Sequence, residues 1–173
     1  MKTKFFALVS LFTLYSTFLW GQSTTFEGQI IPVDRVPEEV VTTHETNFGG
    51  KKTLRWKYQK SKGRKGNSFT RYVAVMKEGK RPLSNARYSP DGTLIYYAEY
   101  YGTKTIPSLL RSDLDANFSD YRVTGGTHIK LYKTQKEYYR VRLKKEALIT
   151  YVFYDKNGTQ VDRAKLPQDA DFK

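Results

Sequence analysis

The 173-residue sequence has no cysteine. That excludes a disulfide scaffold, a thiolate metal site and a lipid-modified N-terminal cysteine. Small secreted eukaryotic domains usually carry disulfides, so a cysteine-free exported chain fits a bacterial envelope better. Histidine is nearly absent too: His44 and His128 are the whole set. A zinc site takes three or four ligands, and neither histidine has a second ligand at metal spacing. No Gly-x-Ser-x-Gly turn appears, and Asp and Glu are scattered rather than paired. Asp91-Gly92-Thr93 and Asn157-Gly158-Thr159 lack the alternating oxygen ligands and closing glutamate of an EF-hand. The expectation is a non-enzyme with no cofactor and no metal. Long apolar runs are missing as well. Phe5 to Leu14 falls short of the roughly 20 residues that span a bilayer.

That short run reads instead as a signal peptide. Met1-Lys2-Thr3-Lys4 is its basic start, and Gly21-Gln22 is the expected cleavage point. Residues 1–21 are assigned to it, which predicts a periplasmic or secreted protein. The formal charge is +13, and losing Lys2 and Lys4 with the signal takes it to +11. Such a balance attracts acidic partners, anionic lipid or polyanions. For an exported protein, nucleic acid is the least expected of these. The chain is also aromatic, with 14 Tyr, 10 Phe and 2 Trp, a composition that favours sheet.

Two stretches of the chain match. Val36-Pro37-Glu38-Glu39-Val40 precedes Phe48, and Ile106-Pro107-Ser108-Leu109-Leu110 precedes Phe118, with the same proline-to-phenylalanine spacing. Tyr88-Ser89-Pro90-Asp91-Gly92-Thr93 likewise matches Tyr154-Asp155-Lys156-Asn157-Gly158-Thr159. Each stretch predicts a helix, with proline at its start and apolar positions stepping by four (Val40, His44, Phe48; Leu110, Leu114, Phe118). Gly49-Gly50 predicts the first helix stop. Strands are predicted over 54–58, 69–76, 83–88 and 94–101, then over 129–132, 138–143, 148–154 and 160–164. Asp91-Gly92 and Asn157-Gly158 are hairpin turns. The fold expected is α+β: a tandem repeat of a helix plus a four-stranded antiparallel sheet, helices on one face. Its boundaries are an N-terminal extension over 22–33, repeats over 34–102 and 103–166, and a tail over 167–173.

Val-Pro-x-x-Val, a phenylalanine closing the helix, the strand at Trp56 and Tyr-x-x-Asp-Gly together resemble the PepSY-like, β-lactamase-inhibitor-like periplasmic family of Bacteroidetes. The resemblance covers roughly residues 34–164. It implies a tandem αβ4 arrangement whose concave sheet grips a partner. It does not imply inhibition of a β-lactamase. The second stretch has no tryptophan matching Trp56, and the chain is more basic than the family pattern.

The expected function is therefore an exported, non-enzymatic protein- or peptide-binding module, with inhibition of a peptidase or other enzyme as one form of it. Alternation in Tyr138-Tyr139-Arg140-Val141-Arg142-Leu143 puts Tyr139, Val141 and Leu143 on one face and Tyr138, Arg140 and Arg142 on the other. The apolar set meets the helix, so the Tyr/Arg set faces the partner. Position matching adds Arg71 and Val73 to that face. The alternative is an anion-binding envelope protein that takes lipopolysaccharide, acidic glycan or a lipid surface on a basic arm. Lys51, Lys52, Lys60, Lys62, Arg64 and Lys65 form that arm.

Overall fold

The computed structural model describes residues 28–62, 68–77 and 83–167. The signal peptide, Arg64 and Lys65 lie outside them, as does the side chain of Lys62. The chain opens with strand β1 (Gln29–Ile31), a 3-10 helix (Val33–Arg35) and helix α1 (Glu38–Phe48). Four strands follow: β2 (Lys52–Lys62), β3 (Ser68–Lys77), β4 (Ser84–Tyr88) and β5 (Leu94–Tyr101). A second 3-10 helix (Thr103–Thr105) leads to helix α2 (Ser108–Asn117). Strands β6 (Arg122–Leu131), β7 (Lys136–Lys145), β8 (Leu148–Asp155) and β9 (Gln160–Val161) complete the sheet, and a last 3-10 helix spans Arg163–Lys165.

All nine strands belong to one antiparallel sheet in simple sequence order. This corrects the expected fold of two modules with a four-stranded sheet each. The deciding contact is β5 against β6, which runs from Tyr96 opposite Leu131 to Tyr101 opposite Gly126. Along that seam Ala98 is 1% exposed and Ile129 0%. A strand that looks like a module's edge in the sequence is thus a central strand, because pairing satisfies its whole row of backbone groups.

Both helices lie on the same face. In α1 the residues Val40, His44 and Phe48 are buried against Trp56, Ala74, Met76, Ala86 and Tyr88. In α2, Leu110 and Leu114 pack on Val141, Leu143, Val152 and Tyr154. Pro37 and Pro107 are the N-caps, one position before the first helical residue. The end of α1 does not use a left-handed glycine: Gly49 has φ −56°, and the Lys51 N–H bonds back to the Phe48 carbonyl. The turns at Gly92 and Gly158 do need glycine, with φ +82° and +80°. Each presses on the first turn of a helix, Gly92 on Glu39 and Gly158 on Leu109.

The opposite face is not left bare, as the sequence reading expects. A third apolar cluster there joins Ile95, Tyr96, Ala98, Ile129, Leu131, Tyr138 and Phe153 to Leu166, which follows the last 3-10 helix and is 4% exposed. The C-terminal segment therefore covers part of that face. The remainder of that side is the open face of the sheet.

Candidate functional site

Register sorts the charges by face, because residues opposite one another in a ladder point the same way. Trp56, Ala74, Ala86 and Tyr97 stand in one row on the helix face. Lys57, Val73, Arg87 and Tyr96 therefore stand on the open face. The same rule places Arg55, Arg71, Lys136, Arg140, Arg142 and Lys144 on the open face. The strands carry three carboxylates. Glu99 and Glu137 lie on the helix face, opposite His128 and Lys130, and Asp155 alone lies on the open face, opposite Tyr138. The open face is thus strongly cationic.

Its middle is built from arginines lying on rings. The Arg87 guanidinium sits 4.6 Å from the Tyr96 ring centre, Arg140 5.1 Å from Tyr151 and Arg71 4.4 Å from Phe69. Ring faces hold the guanidinium planes in place, and all three arginines stay partly exposed, although the Arg87 Nε itself is buried. Burial pushes the Tyr96 hydroxyl up to about 12, with the nearby Arg87 and Arg140 charges pulling the other way. It stays a neutral donor at physiological pH. Arg140 Nη2 donates to Thr127 Oγ1 at 3.4 Å. Asn85 is 9% exposed, and its Nδ2 donates to the Tyr100 hydroxyl at 2.8 Å. Its Oδ1 has no partner within the described chain. A buried amide oxygen without a donor costs free energy unless a ligand supplies one.

The expected partner-binding residues Tyr138, Arg140, Arg142, Arg71 and Val73 all stand on this face. They are not equally available. Tyr138 is 7% exposed and Val73 5%, so both are packing residues, while the three arginines reach solvent. Arg87, Tyr96, Tyr100 and Asn85 were not picked out by sequence. Alternation in Ser84 to Tyr88 carries the signal for Asn85 and Arg87, and alternation in Leu94 to Tyr101, shifted by one residue at the Ile95 bulge, carries it for Tyr96 and Tyr100.

The expected basic arm is dispersed. β2 runs through it, so Lys52 and Lys60 lie roughly 27 Å apart along a strand. Lys51 turns to the helix side, where its Nζ donates to the Tyr97 hydroxyl at 3.1 Å, and Lys60 lies over the Tyr58 ring.

Each histidine has partners that its sequence neighbourhood hides. His44 Nδ1 is 2.9 Å from the Tyr88 hydroxyl and Nε2 2.7 Å from Thr53 Oγ1. Both hydroxyls donate or accept, so either neutral tautomer is satisfied. His128 gains a carboxylate after all: the β6–β7 hairpin brings Glu137 Oε2 to 2.8 Å of Nε2 and stacks the ring on Tyr139. Among the described residues, no three Asp, Glu or His side chains converge as metal ligands.

No protein-family model matches the chain, and no curated protein does. Several solved structures resemble it. A candidate periplasmic protein from Bacteroides eggerthii is 14% identical with a TM-score of 0.57, over 73% of this chain and 86% of that one. A DUF2874 family protein from Bacteroides ovatus is 12% identical with a TM-score of 0.58, over 73% and 84%. One from Bacteroides uniformis is 12% identical with a TM-score of 0.57, over 73% and 86%. At such identities the likeness is one of fold, and the chain is built like these Bacteroides proteins.

Proposed function

We propose that this chain is an exported, periplasmic, non-enzymatic binding protein that engages an acidic protein or peptide with the open face of its sheet. The observation that carries the reading is the ring-stacked arginine pair Arg87 and Arg140, set beside the buried Asn85 amide on a face with a single strand carboxylate. Arginine and tyrosine combine large contact area with polar tips, and such residues dominate interface energies. The resemblance to PepSY-like, β-lactamase-inhibitor-like proteins supports the same use of a sheet. The leader-like start and the candidate periplasmic protein of like fold support export, with removal of residues 1–21. A glycan or lipid on residues 51–65 has less support, since the cations there are spread along a strand and over two faces.

The test is the double substitution Arg87→Ala plus Arg140→Ala, assayed against the partner recovered from envelope extract. Binding should fall by about 2 kcal/mol or more, as for paired hot spots. The wild-type affinity should also drop between low and physiological salt. A folded double variant with unchanged affinity moves the site off this face.

A further inference from the structure

The two edges of the sheet differ. β9 pairs with β8 only at Phe153 and Tyr154, and then the chain turns away into the 3-10 helix that starts at Arg163. Among the described residues, no strand pairs with the outer side of Leu148–Val152. The N–H and C=O of Asp155 both bond to the turn on that side, at Thr159 and Gly158. By alternation, the N–H and C=O of Ile149 and Tyr151 point the same way, outward. Leu148, Ile149 and Tyr151 are 58%, 42% and 43% exposed.

Free edges are ordinarily blunted by charge, above all by lysine. At the other end of the sheet the three-residue β1 covers β2 only from Trp56 to Tyr58, and the stretches of β2 it leaves uncovered carry Lys52, Arg55 and Lys60. β8 breaks that rule. Ala147 to Tyr154 is the longest run without Asp, Glu, Lys or Arg between residues 28 and 167. An apolar, uncharged edge with unpaired donors and acceptors is a template for an added strand.

We infer that the outer edge of β8 receives an extended segment of a partner protein as a tenth strand, and that this segment alternates apolar and acidic residues. Guest residues opposite Thr150 and Val152 stand on the helix side, beside the exposed Leu148, and call for apolar side chains. Guest residues opposite Ile149 and Tyr151 stand over the open face, whose next row holds Lys144 and Arg142. There a groove of about 430 Å³, lined by Tyr151, Phe153, Val161, Asp162 and Arg163 among others, gives their side chains room, and the cations Arg142, Lys144 and Arg163 around it outnumber Asp162. Charge selects against a second copy as the occupant. Two copies would bring their own Arg142 and Lys144 together, each on a chain of formal charge +11 once Lys2 and Lys4 leave with residues 1–21. The inference shares with the open-face reading only the sign of the partner's charge, since the edge is made by other residues.

The probe is a fluorescein-labelled, end-blocked hexapeptide Val-Glu-Val-Glu-Val-Glu, followed by anisotropy. It should bind saturably. Ile149→Pro removes one outward N–H but no bond to β7, so it should weaken binding about tenfold or more with little change in melting temperature. Two versions of the peptide, N-methylated on alternate residues, keep every side chain. On wild-type protein, one should lose binding and the other retain it, so this measurement stands even if Ile149→Pro folds poorly. Equal binding of both methylated peptides overturns the inference. So does a concentration-dependent dimer that Ile149→Pro abolishes while the peptide stays unbound. With the natural partner, loss in the Arg87/Arg140 variant but not in Ile149→Pro overturns the edge and leaves the open face standing. The opposite pattern overturns the open face and leaves the edge.

Discussion

His44 is 1% exposed, yet it fills a position on the apolar stripe of α1. Its two hydroxyl partners satisfy a neutral ring, and Trp56 meets it edge-on at 4.9 Å. Burial holds its pKa below the ordinary 6.5, with the nearby Glu45 charge acting weakly the other way. The unfolded chain therefore takes up the proton first. Stability from this group is complete above pH 6.5 and is lost as pH falls from there through the folded-state pKa. Denaturant melts of His44→Gln should show a flatter stability profile just below pH 6.5 than wild type. An unchanged slope would place the dependence elsewhere. The sequence placed His44 on the buried stripe, but Tyr88, 44 residues away, became its partner only through the sheet. The two phenylalanines matched in the sequence also part company. Phe48 is 8% exposed and stacks on Tyr97 at 5.2 Å, whereas Phe118 sits half-buried at the cap of α2. Phe48→Ala should cost about 3–5 kcal/mol and Phe118→Ala about half that, measured by thermal melts.

At the scale of elements, the strands were legible wherever apolar residues alternate, and less so at their ends. β6 begins at Arg122, well before the predicted start at Ile129, because Thr124-Gly125-Gly126-Thr127 carries no strand signal. The structure explains both glycines. Gly125 has φ +136° at the bulge, and Gly126 leaves space for the Tyr101 ring, whose oxygen lies 2.2 Å from where a Cβ would stand. Gly126→Ala should destabilise by about 1–3 kcal/mol in urea titrations, and adding Tyr101→Ala should recover part of the loss. Full additivity of the two substitutions would count against the ring as the cause. α2 is tied down by a comparable long-range bond: the Tyr154 hydroxyl, fully buried, donates to Asp113 Oδ2 at 2.7 Å. The short β1 had no legible signal, since three residues give too little alternation to count.

At the scale of the molecule, continuity of the sheet decides how the chain behaves. Division near residue 102, as the matched stretches suggest, would strip β5 of β6 and expose Tyr96 and Ala98, now 2% and 1% exposed. A fragment of residues 28–102 should therefore fail to give a cooperative melt, while residues 28–173 should unfold in one transition. A fragment that melts cooperatively by circular dichroism would restore the picture of separable modules. Charge also belongs to this scale. Composition states an excess of lysine and arginine, but only the register shows arginines gathered over rings on the face that holds one strand carboxylate.

Sequence alone determined the two helices, their buried stripes, the glycine turns at Gly92 and Gly158, and most strand centres. These are local properties, set by the 3.6 and 2.0 residue periods and by backbone freedom at glycine. Only the tertiary structure decided that nine strands form one sheet, that Leu166 returns to cover part of the face opposite the helices, and that Tyr138 and Val73 are buried while Arg87 and Arg140 are presented. The reason is that an edge strand and a central strand carry the same backbone donors and acceptors. Which rows meet is settled by the packing of side chains far apart in the chain, and no local pattern records it.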